Sequence, residues 1–221
     1  MLQRNTMTQS PITVLNSETF ARGLRILSRR DPDLRHILEQ FGPPPMWTRQ
    51  PGFPTLIFLI LEQQVSLASA RAAMNRLLAV ASPLTPSRFL ELDDATLKTI
   101  GFSRQKMAYG HYLAQAILEG RLNLGALHKM NDDAVRAELI KIKGIGKWTA
   151  DNYLLMALRR PDIFPSGDLA LVVAAQKVKR LRARPTQEKL DAIGEQWRPW
   201  RAVAARILWH YYLSGRLPQE P

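Results

Sequence analysis

Apolar residues recur at three- and four-residue intervals along nearly the whole chain, and no stretch alternates cleanly enough to argue for a strand. The pattern predicts an all-α fold. Ser17 is placed to cap a first helix with apolar positions Phe20, Leu24 and Leu27, and after Asp31-Pro32 a second short helix carries Leu34, Ile37 and Leu38. Phe41-Gly42-Pro43-Pro44-Pro45 breaks it. From Thr55 to about Val80 the spacing predicts one long helix, apolar nearly all round at its start and Ala-rich later, as expected of a helix surrounded by neighbours. A polar insertion, Glu62-Gln63-Gln64-Val65-Ser66, falls within it. Ser87 and Asp93 are expected to cap two short helices, Gly101 to end the second, and Ser103 to cap another reaching Leu118.

The segment Asn131 to Leu158 carries the first candidate chemistry. Asn131-Asp132-Asp133 offers a cap and first-turn acids to a helix with apolar positions Ala134, Val135, Leu139 and Ile142. Lys143-Gly144-Ile145-Gly146-Lys147 interrupts the period, and Trp148, Thr149, Ala150, Tyr153, Leu154 and Ala157 resume it as far as Arg160-Pro161. The reading is helix, glycine turn, helix. Two glycines around one apolar residue permit a positive φ and a close backbone approach, with Ile145 as the plug. Such a turn opens a helix N-terminus, so amides at Gly144, Gly146 and Thr149 can meet an anion among Lys141, Lys143 and Lys147. The plainer alternative is a helix-helix corner. A dinucleotide fingerprint is disfavoured, because no strand precedes the glycines and the third glycine is missing.

Downstream, Asp162-Ile163-Phe164-Pro165-Ser166-Gly167-Asp168 leads into a helical pattern at Leu169, Val172, Val173 and Gln176. Asp168 suits an N-cap, worth about 1 kcal/mol. A second role is within reach. The helix Lys147 to Leu158 rises about 18 Å, and the loop Arg159 to Gly167 spans up to roughly 30 Å. Asp168 can therefore return beside the glycine turn, where its carboxylate would stabilise a cationic sugar.

The chain has 221 residues, 46% of them apolar, enough for one domain or two closely packed subdomains. It has no cysteine, which removes disulfides, thiolate zinc sites, cysteine nucleophiles and thiolate-held iron-sulfur clusters. The longest apolar run, Leu56 to Leu61, is far short of the roughly 18 residues that cross a bilayer. No membrane association is expected. Met1 to Asn16 lacks a signal-length apolar segment, so a flexible N-terminus over 1–16 and a cytoplasmic address are expected. With 31 Lys and Arg against 19 Asp and Glu, the net charge of +12 points to a polyanionic partner, nucleic acid being the commonest. One basic run, Lys177, Lys179, Arg180, Arg182 and Arg184, contains no acid and reads as a solvated face.

Taken together, Leu139-Ile140-Lys141-Ile142-Lys143-Gly144-Ile145-Gly146-Lys147-Trp148-Thr149-Ala150 and Phe164-Pro165-Ser166-Gly167-Asp168-Leu169 resemble the helix-hairpin-helix glycosylases of base excision repair. Ile60-Leu61-Glu62-Gln63-Gln64-Val65-Ser66 adds a third matching segment, and the likeness runs from about Ser17 to Leu213. It is nearest to the DNA-3-methyladenine glycosylase II branch, the AlkA-like enzymes, in a compact form without their N-terminal β-domain. The resemblance implies two packed helical subdomains with a cleft between them, one of residues 17–50 plus 165–221 and the other of residues 51–164. Where lyase-competent members carry a nucleophilic lysine, two positions beyond Gly-x-Gly, this chain has Trp148, so no Schiff-base lyase chemistry is expected, although Lys147 is adjacent. The absence of cysteine likewise disfavours the branches that carry an iron-sulfur cluster.

By the same resemblance Asp168 is the catalytic carboxylate, and Gly144, Gly146, Lys147, Thr149 and Lys143 bind backbone phosphate. Main-chain carbonyls of Ile140, Ile142 and Ile145 would hold a sodium or potassium ion, with no cofactor required. Gln64 fills the hole left by a flipped nucleotide, and Trp47, Trp148 and Tyr153 line the base pocket. Each has a bland counterpart: Gln64 as an amide satisfied inside the bundle, the aromatics as core. The implied activity is hydrolytic excision of alkylated purines, such as 3-methyladenine and 7-methylguanine, from double-stranded DNA by a monomer, leaving an abasic site. Two alternatives stay open at this point: a non-catalytic helix-hairpin-helix DNA-binding module, and a glycosylase for deaminated or oxidised bases.

Overall fold

The computed structural model describes residues 14–215, and among them there are twelve α-helices, a short 3-10 turn and no strand. In chain order the helices are α1 (Ser17–Arg30), α2 (Pro32–Phe41), α3 (Phe53–Glu62), α4 (Leu67–Val80), α5 (Pro86–Leu90), α6 (Asp94–Ile100) and α7 (Arg104–Leu118). After the 3-10 turn at Leu127–Lys129 come α8 (Asp132–Ile140), α9 (Lys147–Met156), α10 (Leu169–Val178), α11 (Gln187–Glu195) and α12 (Arg201–Ser214). Helices α1, α2, α10, α11 and α12 pack on one another, while α3 to α9 form a second group.

Several helix starts differ from the sequence expectation, each for a local reason. Asn16, not Ser17, caps α1: its Oδ1 accepts from Thr19 N at 2.8 Å while Thr19 Oγ1 accepts from Asn16 N at 2.9 Å. That reciprocal pair needs a polar residue three positions on, and Ser17 has Phe20 there. Leu15 is fully buried and its N–H donates to the Arg159 carbonyl, so the expected flexible N-terminus stops short of residues 14–16; residues 1–13 lie outside the described region. Thr85 rather than Ser87 caps α5, with Pro86 preset at the first helical position. The long helix expected over Thr55 to Val80 is two helices, because Gln64 adopts φ +57° and Ser66 caps α4. Apolar spacing continues across this break, which hides it from periodicity. Asp93, Ser103 and Asn131 cap α6, α7 and α8 as expected, and Gly101 ends α6 in the left-handed region.

Two polar centres bind the helices together. Arg206 of α12 is fully buried and donates to the carbonyls of Met46, Ala202 and Leu155, stitching α12 to the end of α9 and to the segment between α2 and α3. Burial without a carboxylate partner brings its pKa down to about 10, so it keeps its charge at neutral pH. Asp31, 2% exposed, caps α2 and takes Lys179 Nζ at 2.7 Å and Trp197 Nε1 at 2.7 Å. Burial pushes the carboxyl up, yet the Lys179 and Trp197 hydrogen bonds and the Lys179 charge outweigh it and hold it below the usual carboxylate range.

Candidate functional site

The glycine turn joins two helices that an internal ion pair holds in register. Arg136 Nε of α8 meets Asp151 Oδ1 of α9 at 2.8 Å, and Arg136 also reaches Asp133 at 2.6 Å. Burial pushes the Asp151 carboxyl up against the opposing pull of Arg136. Helix α8 stops at Ile140, two residues before the apolar pattern does, and Ile142 and Ile145 are both buried in the turn. Gly144 sits at φ +95°, and a Cβ there would lie 2.1 Å from the Tyr109 ring, so only glycine fits. Gly146 is different: its backbone is extended, and a Cβ would meet nothing within 4 Å. It is the N-cap of α9, and no side chain caps that helix. The first-turn amides of α9 have no intrahelical acceptor and lie at the positive end of the dipole.

Around this opening the sequence-predicted residues divide. Lys147 is exposed, 3.9 Å from Asp191. Lys143 is exposed and lies 5.0 Å over the Tyr112 ring, whereas Lys141 pairs with Glu138 at 2.6 Å. Thr149 is buried; its hydroxyl accepts from Gln63 Nε2 at 3.1 Å, leaving only its backbone amide to the anion seat. The Ile142 carbonyl accepts from Ile145 N, and those of Ile140 and Ile145 accept no hydrogen bond among the described residues. Main-chain carbonyl oxygens are hard donors, the ligand type that suits a hard cation.

Twenty residues beyond Trp148, Asp168 has come back to the hairpin. It caps α10: Oδ1 accepts from Ala170 N at 3.0 Å and Leu171 N at 3.2 Å. It also receives two indoles. Trp148 Nε1 donates to Oδ2 at 2.8 Å and Trp209 Nε1 to Oδ1 at 3.1 Å. Oδ1 thus carries three donors and Oδ2 one, so the open lone pair of the half-buried carboxylate is on Oδ2. No lysine or arginine pairs with Asp168 among the described residues. Trp209, 41 positions away, is invisible to local pattern; it opens the aromatic stretch Trp209-His210-Tyr211-Tyr212 in the second half of α12, and that is its only signal.

Gln64 projects from the turn between α3 and α4 at φ +57°, exposed beside Val65 and Leu67, which are 46% and 56% exposed. A buried amide inside the bundle is therefore not its state. The three residues before it are each tied down. Lys106 Nζ donates to the Leu61 carbonyl at 2.7 Å, Glu62 takes Arg49 in a two-pronged pair at 2.6 and 2.9 Å, and Gln63 Nε2 donates to the Gly144 carbonyl at 3.0 Å as well as to Thr149.

The three pocket aromatics separate. Trp148 touches the carboxylate. Trp47, half-buried at φ +38°, packs 6.3 Å from His210, the neighbour of Trp209, and His210 Nε2 donates to the Phe41 carbonyl. Tyr153 corrects the expectation: it is fully buried, and its hydroxyl accepts from Gly52 N at 3.0 Å, so it serves the core rather than an open pocket. In the basic run, Lys179 is likewise no solvated charge, since it pairs with Asp31 and Asp33; Lys177, Arg180, Arg182 and Arg184 are exposed. Among the described residues no helix is long and apolar enough to cross a membrane.

A family model described as HhH-GPD superfamily base excision DNA repair protein matches residues 57–199. The putative DNA-3-methyladenine glycosylase YfjP of Bacillus subtilis is 30% identical over 184 residues, 80% of this chain and 64% of that protein. The alkylbase DNA glycosidase-like protein mag2 of Schizosaccharomyces pombe is 28% identical over 197 residues, 86% of this chain and 92% of the other. The chain thus spans slightly under two thirds of the Bacillus relative. Among solved structures, a Schizosaccharomyces pombe 3-methyladenine DNA glycosylase in complex with abasic DNA matches with a TM-score of 0.79 at 26% identity, over 85% of this chain and 95% of that one. With an all-helical fold over the described residues, a glycine turn between α8 and α9 and a match over residues 57–199, the chain belongs to the HhH-GPD superfamily of base excision DNA repair proteins.

Proposed function

We propose that the protein is a monofunctional DNA glycosylase that flips alkylated purines out of duplex DNA and hydrolyses the glycosidic bond, leaving an abasic site. The observation that carries this reading is the Asp168 carboxylate, which among the described residues is fixed by four N–H donors, unpaired by any cation and open at Oδ2. The names of the relatives point the same way: two are 3-methyladenine glycosylases and one an alkylbase glycosidase-like protein.

The first-turn amides of α9 and Lys147 would hold a backbone phosphate next to the lesion. A monovalent cation on the carbonyls of Ile140, Ile142 and Ile145 would add positive charge at that seat. Extruding the nucleotide costs a few kcal/mol, less for a pair weakened by alkylation, and Gln64 would fill the vacated stack. A purine alkylated at N3 or N7 is cationic and leaves readily, taking the electron pair of the C1′–N bond. Positive charge then develops on the sugar, and Oδ2 of Asp168 stabilises it electrostatically. Water forms the new C1′–O bond, and its proton passes to the carboxylate or onward to solvent. Trp148 holds the carboxylate where a lyase would present an amine, so the strand stays intact. Trp47 and Trp148 offer electron-rich faces to a cationic base. The enzyme acts as a monomer.

Incubating methylated duplex DNA with the purified chain tests this. Free alkylated base should appear with time, and the strand should break only after alkali treatment of the abasic sites. Direct strand cleavage would contradict the monofunctional reading. Retained DNA binding with no base released from methylated, deaminated or oxidised substrates would identify a non-catalytic binding module instead.

A further inference from the structure

The first turn of α9 touches more than the phosphate seat. Thr149 and the Gly144 carbonyl receive both hydrogen bonds of Gln63 Nε2, at 3.1 and 3.0 Å, and the adjacent Trp148 donates to Asp168 at 2.8 Å. A carbonyl only accepts, so the Gln63 amide nitrogen, not its oxygen, faces the turn. Helix α7 braces the same junction from behind. Its Lys106 binds the Leu61 carbonyl, and its Tyr109 ring fills the place a Gly144 side chain would need. Burial lowers the Lys106 pKa, while the carbonyl end of α3 favours a cation there. Gln64 itself has no such tie among the described residues; it stands exposed on a mount held at each of the three preceding residues.

We propose that Gln63 is a positioning strut whose amide fixes the Gln64 finger to the hairpin turn, so that phosphate capture, stack filling and the Asp168 carboxylate share one rigid reference. This rests on the reading of Gln64 as the stack-filling residue. Separately tethered devices would each wander by the play of their own loops, and catalysis is sensitive to misplacement of this kind. Two hydrogen bonds from one amide, one to the turn and one to the helix it opens, remove that play. Gln63 touches no substrate in this account and acts through Gln64.

The test uses the full chain and three readouts: affinity for undamaged duplex, fluorescence of 2-aminopurine beside a lesion as a report of flipping, and single-turnover release of base from methylated DNA. Gln63→Leu keeps the size and removes the donors. It should leave undamaged-duplex affinity within about twofold while flipping amplitude and base release fall about tenfold, within the scale of its two lost hydrogen bonds. In a Gln64→Ala background the same substitution should add less than about twofold, because its route is already cut. Lys106→Met loosens the finger mount without touching the hairpin and should reproduce the pattern, which guards against a folding defect peculiar to Gln63→Leu. An equal loss of undamaged-duplex affinity would overturn the proposal, since Gln63 would then only support the hairpin. A tenfold loss persisting in Gln64→Ala would overturn it too. If Gln64→Ala alone leaves flipping and release unchanged, the stack-filling role fails, and the strut with it, while base release by the wild type would leave the glycosylase reading standing.

Discussion

Two aspartates in this molecule are built alike and differ in one partner. Asp31 and Asp168 each begin a helix by accepting two backbone amides, and each also receives a tryptophan indole N–H. The difference lies in the fourth partner. Lys179 closes the cluster at Asp31, which is 2% exposed, and the charge is neutralised in place. At Asp168 a second indole stands where a cation would, and the carboxylate is only half-buried. Indoles orient a carboxylate without supplying a counter-charge, so Asp168 has no cationic partner among the described residues. Capping a helix therefore does not decide whether an aspartate is structural; its counter-charge does. Helix α9 is the converse case, a start with no side-chain cap at all.

The largest effect that would sharpen this contrast is on stability. Asp31→Asn should lower unfolding free energy by about 3 kcal/mol, because it strands part of the Lys179 charge in a buried site, whereas Asp168→Asn should cost at most about 1 kcal/mol, asparagine being nearly as good a cap. Chemical denaturation of the two variants side by side measures both, and equal losses would erase the distinction. Next in size, Gly146→Asp would give α9 its own capping carboxylate in space that is free of neighbours. Stability should hold or rise by up to about 1 kcal/mol while duplex affinity drops at least about tenfold, the seat being filled and its charge reversed.

The paired indoles come next. Trp209→Phe should slow single-turnover base release by about tenfold through one lost donor, with little change in substrate affinity, while Trp197→Phe should weaken the fold and leave release unchanged. Smallest is an acid effect. The folded pKa of Asp31 is depressed, so its stabilisation is fully present above the unfolded value of about 3.9 and is lost as pH falls through the lower folded value. The wild type should lose stability in that window more steeply than Asp31→Asn, as a pH series of melting curves would show.

How much of this the sequence disclosed depends on the range of the contacts. The hairpin and the Asp168 loop are legible because glycines, a cap and a helical restart sit within a few residues of one another. Loop length alone allowed Asp168 to return to the turn, and the 2.8 Å bond to Trp148 is where it does so. Periodicity hides the break at Gln64, because apolar spacing is indifferent to one left-handed residue, although Ser66 ahead of an Ala-rich run is a readable cap. Tyr153 departs from the expected pocket because a tyrosine on a helix face gives the same pattern whether its hydroxyl meets a ligand or the Gly52 amide. Trp209, Gln63 and the Asp31 to Lys179 pair join residues 41, 81 and 148 positions apart, and no local rule brings those together.

The central claim is that Asp168 acts by its charge besides capping α10, and one variant measured two ways tests it. Asp168→Asn should bind methylated duplex within a few-fold of wild type while its single-turnover release of alkylated base falls by at least about a hundredfold. Release at the wild-type rate by a variant that still binds would contradict the account and leave Asp168 as the N-cap of α10 alone.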